Sequence, residues 1–432
     1  MKYLSVIYYD TFARFFCAIE DAVKSKEPDA EFLHLAIFPS GWMYMKTHGR
    51  NVQLLPWKVY KHKKSDECIT VDEKTLDTVS HYHAVTGERY GKKYKAALSN
   101  RALKYINVMG EVVDTFKPDV VLFSGDTRIA CEALHYYLDR IRYEGKRYFF
   151  EQGPNGTTIF DTRGVNANCS FRECAGDLRG EGFTPEQVAR PKRFKRNPFY
   201  RGSDHALIAL LRIFGNVPAE WDSMSLDKYP DSDYQKCLDK GRENTKAGIN
   251  EILIALQVPD DANNIHHNPL GLGDAELVNM VIQAVEGLAY PIRVREHPLY
   301  KRRYSRDMYE LVRNSDSLIL SDSSLDEDLL NATIVVTVNS MTGLDAYLRR
   351  IPVVVLGNAF YDHLLGITRA VDVSSLHNAI EELSNGKLDM LLMERDPSSI
   401  FAEMRARYFI PGHYLDDSLD SPAQRIAEIL VA

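Results

Sequence analysis

Residues Val335 to Asp362 read VVTVNSMTGLDAYLRRIPVVVLGNAFYD. An apolar run, Ile334 to Val338, stops at Asn339-Ser340-Met341-Thr342-Gly343. Leu344 to Arg350 follows with helical spacing, and Val353 to Leu356 is a second apolar run. Strand-length β-branched runs around a helix predict a strand–turn–helix–strand unit, the building block of a parallel sheet. Upstream, Ile252 to Gln257, Ile292 to Arg295 and Ser317 to Leu320 are further strand candidates. Helical stretches lie between them, the clearest being Asp274 to Leu288. This alternation predicts a doubly wound sheet.

The first half alternates in the same way. Leu4–Tyr9, Ala30–Phe38, Val120–Phe123 and Arg147–Phe150 are strand candidates. Phe12–Lys24, Tyr90–Phe116 and a stretch ending at Arg140 are helical. From about Gly180 to Asn244 the chain becomes polar and contains PKRFKRNPFYRGSD, a basic segment with two prolines that reads as insertion and linker. The expected organisation is a Rossmann-like domain over 1–180, a basic insertion over 181–245, a second Rossmann-like domain over 246–375, and C-terminal helices over 376–432 packing back. The expected fold class is α/β, with two Rossmann-like domains facing across a cleft in the GT-B manner.

With 432 residues, 45% hydrophobic and 26% charged, the chain can bury a core in each half. A net charge of −7 carries no global nucleic-acid signature. The start, MKYLSVIYYDTFARFF, lacks the long apolar core of a signal peptide, and no run of about 18 apolar residues predicts a membrane span. Six cysteines without C-x-x-C spacing predict reduced thiols, a cytoplasmic location and no metal site.

Polar clusters follow the predicted strands, where open α/β sheets bind ligands. Asn339 to Gly343 opens a helix, so free N–H groups, the Ser340 and Thr342 hydroxyls and the small Gly343 could cradle a phosphate; the same residues suit a plain helix cap. Arg295-Glu296-His297-Pro298 ends another strand, and His297 could donate to a phosphate. Gln257 and Asp260-Asp261 end a third. In the first half, Asp126 and Arg128 sit between a strand and a helix. FFEQGPNGTTIFDTRGVNAN, Phe149 to Asn168, is a glycine-rich segment carrying Glu151, Asp161, Arg163 and Asn166, expected as a catalytic loop. Glycosyl transfer needs a carboxylate as base or nucleophile, and spacing does not rank Asp161 against Glu151.

These segments resemble the capsule polysaccharide biosynthesis family that contains the bacterial β-Kdo transferases. FSGDTR, FFEQGPNGTTIFDTRGVNA, ALQVPDDANNIHHNP, REHP, TVNSMTGLDAYLRRIPVVVLGNAFYD and GIT occur in the family's order from about Val120 to Thr368. The chain departs from the common pattern at Met341 and at Pro154-Asn155-Gly156. The resemblance implies a retaining transferase that uses CMP-Kdo as donor, with no obligate cofactor, and adds β-linked Kdo to a glycolipid acceptor at the cytoplasmic face of the inner membrane. It implies that Arg295, His297 and Asn339–Gly343 hold the donor's phosphate and carboxylate, with Gln257 beside them. It implies Asp161 as the catalytic carboxylate and Glu151 as the second. Other capsule-assembly proteins are further expected partners, and nucleic acid is not. The basic residues Arg190, Lys192, Arg193, Lys195, Arg196 and Arg201, among Phe194, Phe199 and Tyr200, suit an anionic membrane surface or a solvated linker. Two alternatives stay open: a related transferase with another nucleotide sugar, and a non-catalytic assembly protein.

Overall fold

A computed structural model describes residues 1–63, 69–87, 92–154, 156–184, 192–213, 217–221, 227–244, 250–288, 290–385 and 396–432. The chain divides into two units, one of 1–170, 187–223 and 405–432, the other of 171–186 and 224–404.

In the first unit, strands β1 (Lys2–Ile7), β2 (Glu31–Ala36), β3 (Val52–Leu54), β4 (Val120–Ser124), β5 (Lys146–Gln152) and β6 (Thr157–Asp161) come first in the chain. The second unit contributes β7 (Glu251–Ala255), β8 (Ile292–Arg295), β9 (Leu318–Leu320), β10 (Ala332–Thr337), β11 (Val353–Val355) and β12 (Ile367–Arg369). The chain then returns to the first unit as β13 (Phe409–Pro411). The first sheet has the order β13-β6-β5-β4-β1-β2-β3 and the second β12-β11-β10-β7-β8-β9. The second is parallel throughout, and in the first only β6 runs against its neighbours. Both are Rossmann-like α/β sheets, as expected. In each the strand order reverses at the centre, between β1 and β4 and between β7 and β10. Helices must leave on opposite faces there, which opens a crevice at the strands' carboxyl ends.

The central strands are buried on both faces, which is why they read as continuous apolar runs. In the first unit Phe15 and Phe16 of the Asp10–Lys26 helix pack on Phe150, and Ile426, Ala427 and Leu430 of the Asp420–Val431 helix join the same core.

Three expectations are corrected. The Phe149–Asn168 segment is not a loop throughout: β5 and β6 form an antiparallel hairpin with Phe150 opposite Phe160 and Glu151 opposite Ile159. Thr157-Thr158-Ile159-Phe160 has strand propensity that the surrounding glycines mask. The basic segment is not a free linker. Arg196 pairs in bidentate fashion with buried Asp10, Arg201 pairs with buried Asp204 at 2.8 Å, and Phe194 donates its N–H to Leu415 in the first unit. Residues 376–432 are also not one packing-back element, because the Val373–Ser384 helix lies in the second unit and 405–432 in the first.

Candidate functional site

In the second unit, Gln257 and Asn339 stand just past β7 and β10, the two strands of the order reversal. They bond reciprocally: the Gln257 amide donates to Asn339 Oδ1 at 2.6 Å, and the Asn339 N–H donates to Gln257 Oε1 at 3.0 Å. Asn339 is buried, and its own amide nitrogen donates to the carbonyls of Asn263 and His267. Asn339 therefore spends its side chain on tying the turn after β10 to the 257–267 segment after β7.

Ser340 caps the helix Met341–Leu348. Its hydroxyl accepts from Thr342 N–H at 3.2 Å and its carbonyl from Gly343 N–H at 2.9 Å. The cap reading is thus realised, and two of the N–H groups expected for an anion are already occupied. Gly343 is dictated by packing: a Cβ there would lie 2.4 Å from the Tyr361 hydroxyl, which donates to the Ser340 carbonyl. Gly343→Ala should cost about 1–3 kcal/mol of stability. Adding Tyr361→Phe should recover part of the loss, as a double-mutant cycle of urea unfolding would show.

The Arg295–His297 segment alternates its commitments. Arg295 pairs with Asp328 and donates to the Ser323 carbonyl at 3.0 Å, beside the buried Arg293–Glu251 pair. Glu296 turns inward and accepts from the Tyr234 hydroxyl at 2.6 Å, the Tyr309 hydroxyl and the Arg302 N–H at 2.8 Å. His297 stays at the edge. Burial holds its pKa below the usual value, against the opposing charge of Asp261, so the ring is neutral at pH 7. Its Nδ1 accepts from Leu299 N–H at 3.3 Å, which leaves the proton on Nε2.

The NAFYD segment acts as a clamp. Arg172 donates from Nε and Nη2 to buried Asp362 at 2.8 and 2.7 Å and from Nη2 to Asn358 at 3.1 Å. Arg369 donates to the same Asn358 at 2.9 Å. His267 lies in this field. Burial first, and the Arg172 charge second, push its pKa down to about 4, and its buried Nε2 makes no hydrogen bond. Neither Arg172 nor His267 was singled out by the sequence reading; the only signal was the quoted segment IHHNP.

In the first unit, Asp161 ends β6 and organises the turn after it. Its Oδ1 accepts from Arg163 N–H at 2.7 Å and Gly164 N–H at 3.3 Å, and its Oδ2 from Ser170 N–H at 3.0 Å and the Ser170 hydroxyl. Arg163 contributes its backbone to this turn, and Asn166 takes a left-handed φ of 51° at its far side. Asp126 secures the same turn, accepting from Val165 N–H and from the Asn168 amide, each at 3.0 Å. Glu151 faces Gly125, whose positive φ of 82° turns the chain out of β4. Arg128 lies over the rings of Tyr8 and Tyr82 at 5.1 and 5.0 Å. Thus Asp161, Glu151, Asp126, Arg128, Arg163 and Asn166 belong to the first unit. Gln257, Arg295, His297, Asn339, Ser340, Thr342 and Gly343 belong to the second.

Glu132, in the first turn of the helix after Arg128, was missed. Burial above all, and then the Asp126 charge, push its carboxyl up to about 8, while burial raises Asp126 as well. A free glutamate ionises near ~4.3. Between roughly pH 4.5 and 8 the folded protein therefore holds a proton that the unfolded chain has released, so stability falls as pH rises through this window. Glu132→Gln should remove that fall. Its stability relative to wild type should improve by about 2–4 kcal/mol from pH 5 to pH 8, read from urea unfolding at both pH values.

Ser5, His34 and Glu20 form a hydrogen-bonded chain of 2.6 and 2.9 Å that has the order of a hydrolase triad, but all three are buried in the core and serve packing. Among the described residues no cluster of three or more His, Cys, Asp or Glu could hold a metal ion, five cysteines are free thiols, and no helix is long and apolar enough to cross a membrane. Cys68 and Arg190 lie outside the described residues.

The family described as capsule polysaccharide biosynthesis protein matches residues 228–402. No curated protein matches the chain. Among solved structures, the chain is similar to the UDP-GlcNAc 2-epimerase of Methanocaldococcus jannaschii, at 12% identity and a TM-score of 0.36, covering 100% of this chain and 99% of that one. It is also similar to the KpsC beta Kdo 2,7 transferase of Thermosulfurimonas dismutans, at 17% identity and a TM-score of 0.35, covering 63% and 78%. The beta Kdo 2,4 transferase of the same organism's KpsC gives 16%, 0.32, 60% and 78%.

Proposed function

We propose, from the premise that residues 228–402 are a segment of the capsule polysaccharide biosynthesis family, that this chain is a glycosyltransferase that transfers β-linked Kdo from CMP-Kdo to a glycolipid acceptor. The observation that carries the reading is the crevice of the second sheet. There a helix start, the Gln257–Asn339 pair and the neutral His297 edge meet the carboxyl ends of three adjacent strands. That is where open α/β sheets hold nucleotides. His297 would donate from Nε2–H to the phosphate of the departing CMP, and the dipole of the Met341–Leu348 helix would favour its negative charge. The sugar–phosphate bond breaks, the acceptor oxygen takes the anomeric carbon, and the acceptor's proton passes to a carboxylate base. Asp161 and Glu151 are the candidate carboxylates, and each already accepts backbone N–H groups, Asp161 from Arg163, Gly164 and Ser170 and Glu151 from Gln152. Retention of configuration and the absence of an obligate cofactor complete the proposal. The test is acceptor-dependent CMP release from CMP-Kdo. Release from a different nucleotide sugar only would move the assignment to that donor, and no release from any would favour an assembly role.

A lipid-anchored acceptor also calls for contact with the anionic inner membrane. With Arg196 and Arg201 internally paired, that surface would be the helix Pro198–Ile213, whose Phe199, Leu210 and Ile213 are exposed, flanked by exposed Lys192, Arg193 and Lys195. Sedimentation with phosphatidylglycerol vesicles should carry the protein down, and about tenfold less in Leu210→Asp/Ile213→Asp. Equal sedimentation with neutral vesicles would remove this contact.

A further inference from the structure

The carboxyl ends of β11 and β12 carry a cluster that the chemistry of the crevice does not use. Asn358 and Asp362 follow β11, Arg369 ends β12, and Arg172 reaches them from the 171–186 segment of the same unit. His267 joins this cluster to the crevice: its carbonyl accepts from the Asn339 amide at 3.3 Å and from the Asn358 N–H at 2.9 Å. A Cβ on Gly357 would lie 2.5 Å from that carbonyl, so the approach requires glycine. Two arginines share one carboxylate here. Arg172 gives Nε and Nη2 to Asp362 and Asn358, and its Nη1 has no hydrogen-bond partner and is open to solvent. Arg369 gives Nη2 to Asn358, while its Nη1 stands 3.7 Å from Asp362, beyond hydrogen-bond reach. Neither arginine has a second acidic partner among the described residues. One positive charge is left over, with N–H donors to spare.

The ring of His267 registers this excess. The Arg172 charge acts on it more strongly than the Asp362 charge, and together with burial it holds the ring neutral. A clamp alone would need one arginine for one carboxylate, because a partly buried cation without an answering anion is costly. Guanidinium groups with spare N–H donors are fitted to carboxylate and phosphate. In the crevice itself, the arginine expected for the donor's carboxylate, Arg295, is spent on Asp328 and the Ser323 carbonyl. The single phosphate of a CMP-linked sugar is met by His297 and the start of the Met341–Leu348 helix. The negative charge that remains on such a donor is the carboxylate of its sugar.

We propose that Arg172 and Arg369, braced by Asp362 and Asn358, form an anion subsite for the carboxylate of the donor's sugar, through which this chain selects a nucleotide-linked sugar acid over a neutral nucleotide sugar. The assignment to the donor rests on the glycosyltransferase reading. The experiment is saturation-transfer NMR on the full chain with CMP alone, then with Kdo or Kdo methyl ester in the presence of CMP; the ester keeps the ring and removes the charge. Kdo should bind about tenfold more tightly than its ester. Arg172 also anchors 171–186, so Arg369→Gln, on an exposed side chain, carries the test. It should erase the preference for acid over ester and leave the binding of CMP and of the ester unchanged. A purely structural role would weaken all three together. In turnover, Arg369→Gln should raise the KM for CMP-Kdo about tenfold with the acceptor KM unchanged. Equal binding of acid and ester, or a preference that Arg369→Gln leaves intact, would overturn the proposal. CDP bound more tightly than CMP, with the gain lost in Arg369→Gln, would assign the cluster to a second phosphate and overturn it as well. CMP binding without Kdo binding would remove this proposal and leave the nucleotide site standing. An Arg369-dependent preference for the acid without CMP binding would keep the subsite and remove the donor reading, and binding of neither would remove both.

Discussion

Asp362→Ala is expected to lower the unfolding free energy of the second unit by about 3–5 kcal/mol. Asp362 is buried, and it accepts both arms of the Arg172 guanidinium, with Arg369 at 3.7 Å and His363 at 3.6 Å from its carboxylate. Removing it strands half-buried positive charge, with Asn358 alone among the described residues left to accept from both arginines. Arg172 belongs to the 171–186 segment, so that segment should lose its anchor. Urea unfolding should show the loss, and hydrogen exchange should quicken first in 171–186. Asp362→Asn keeps one acceptor and should cost less. If Asp362→Ala matched wild type, the clamp would be a surface pairing of the kind worth little.

The second large effect concerns turnover. His297→Ala should reduce acceptor-dependent CMP release by about 10²–10³-fold, the scale of losing one donor to a developing negative charge. His297→Gln, which keeps an N–H at similar reach, should recover part of it. Because burial keeps the ring's pKa below the usual value, the Nε2–H donor is present in the neutral ring and needs no protonation, so the loss in His297→Ala should be seen at pH 7 and above. His297→Ala should not unfold the protein, since the ring is partly exposed and its one side-chain hydrogen bond is long.

The second sheet could be read almost strand for strand, because β7, β8, β10 and β11 are buried on both faces and β-branched. The strands that escaped are β3 and β13, three residues each, and β6, hidden among glycines. β13 joins its sheet through pairing with residues some 250 positions earlier, which no local pattern encodes. The site shows the same limit. That Gln257, His297 and Asn339–Gly343 follow strands was legible, and order at a sheet edge follows from it. What those side chains do was not. Arg295 is engaged by Asp328, Gly343 is set by Tyr361, and Asp161 is held by Ser170, each decided by tertiary packing. Glu132 is the clearest case: six residues after Asp126, a single acid in the first turn of an otherwise apolar helix start, it becomes a buried acid only once the fold closes over it.

The most direct test of the account is CMP release by the purified chain given CMP-Kdo generated in situ, with and without a phosphatidylglycerol-based glycolipid acceptor. The expected result is release that requires acceptor, is nearly abolished by His297→Ala, and is strongly reduced by Glu151→Ala. Release from no nucleotide sugar with any acceptor, or release that His297→Ala leaves intact, would contradict it.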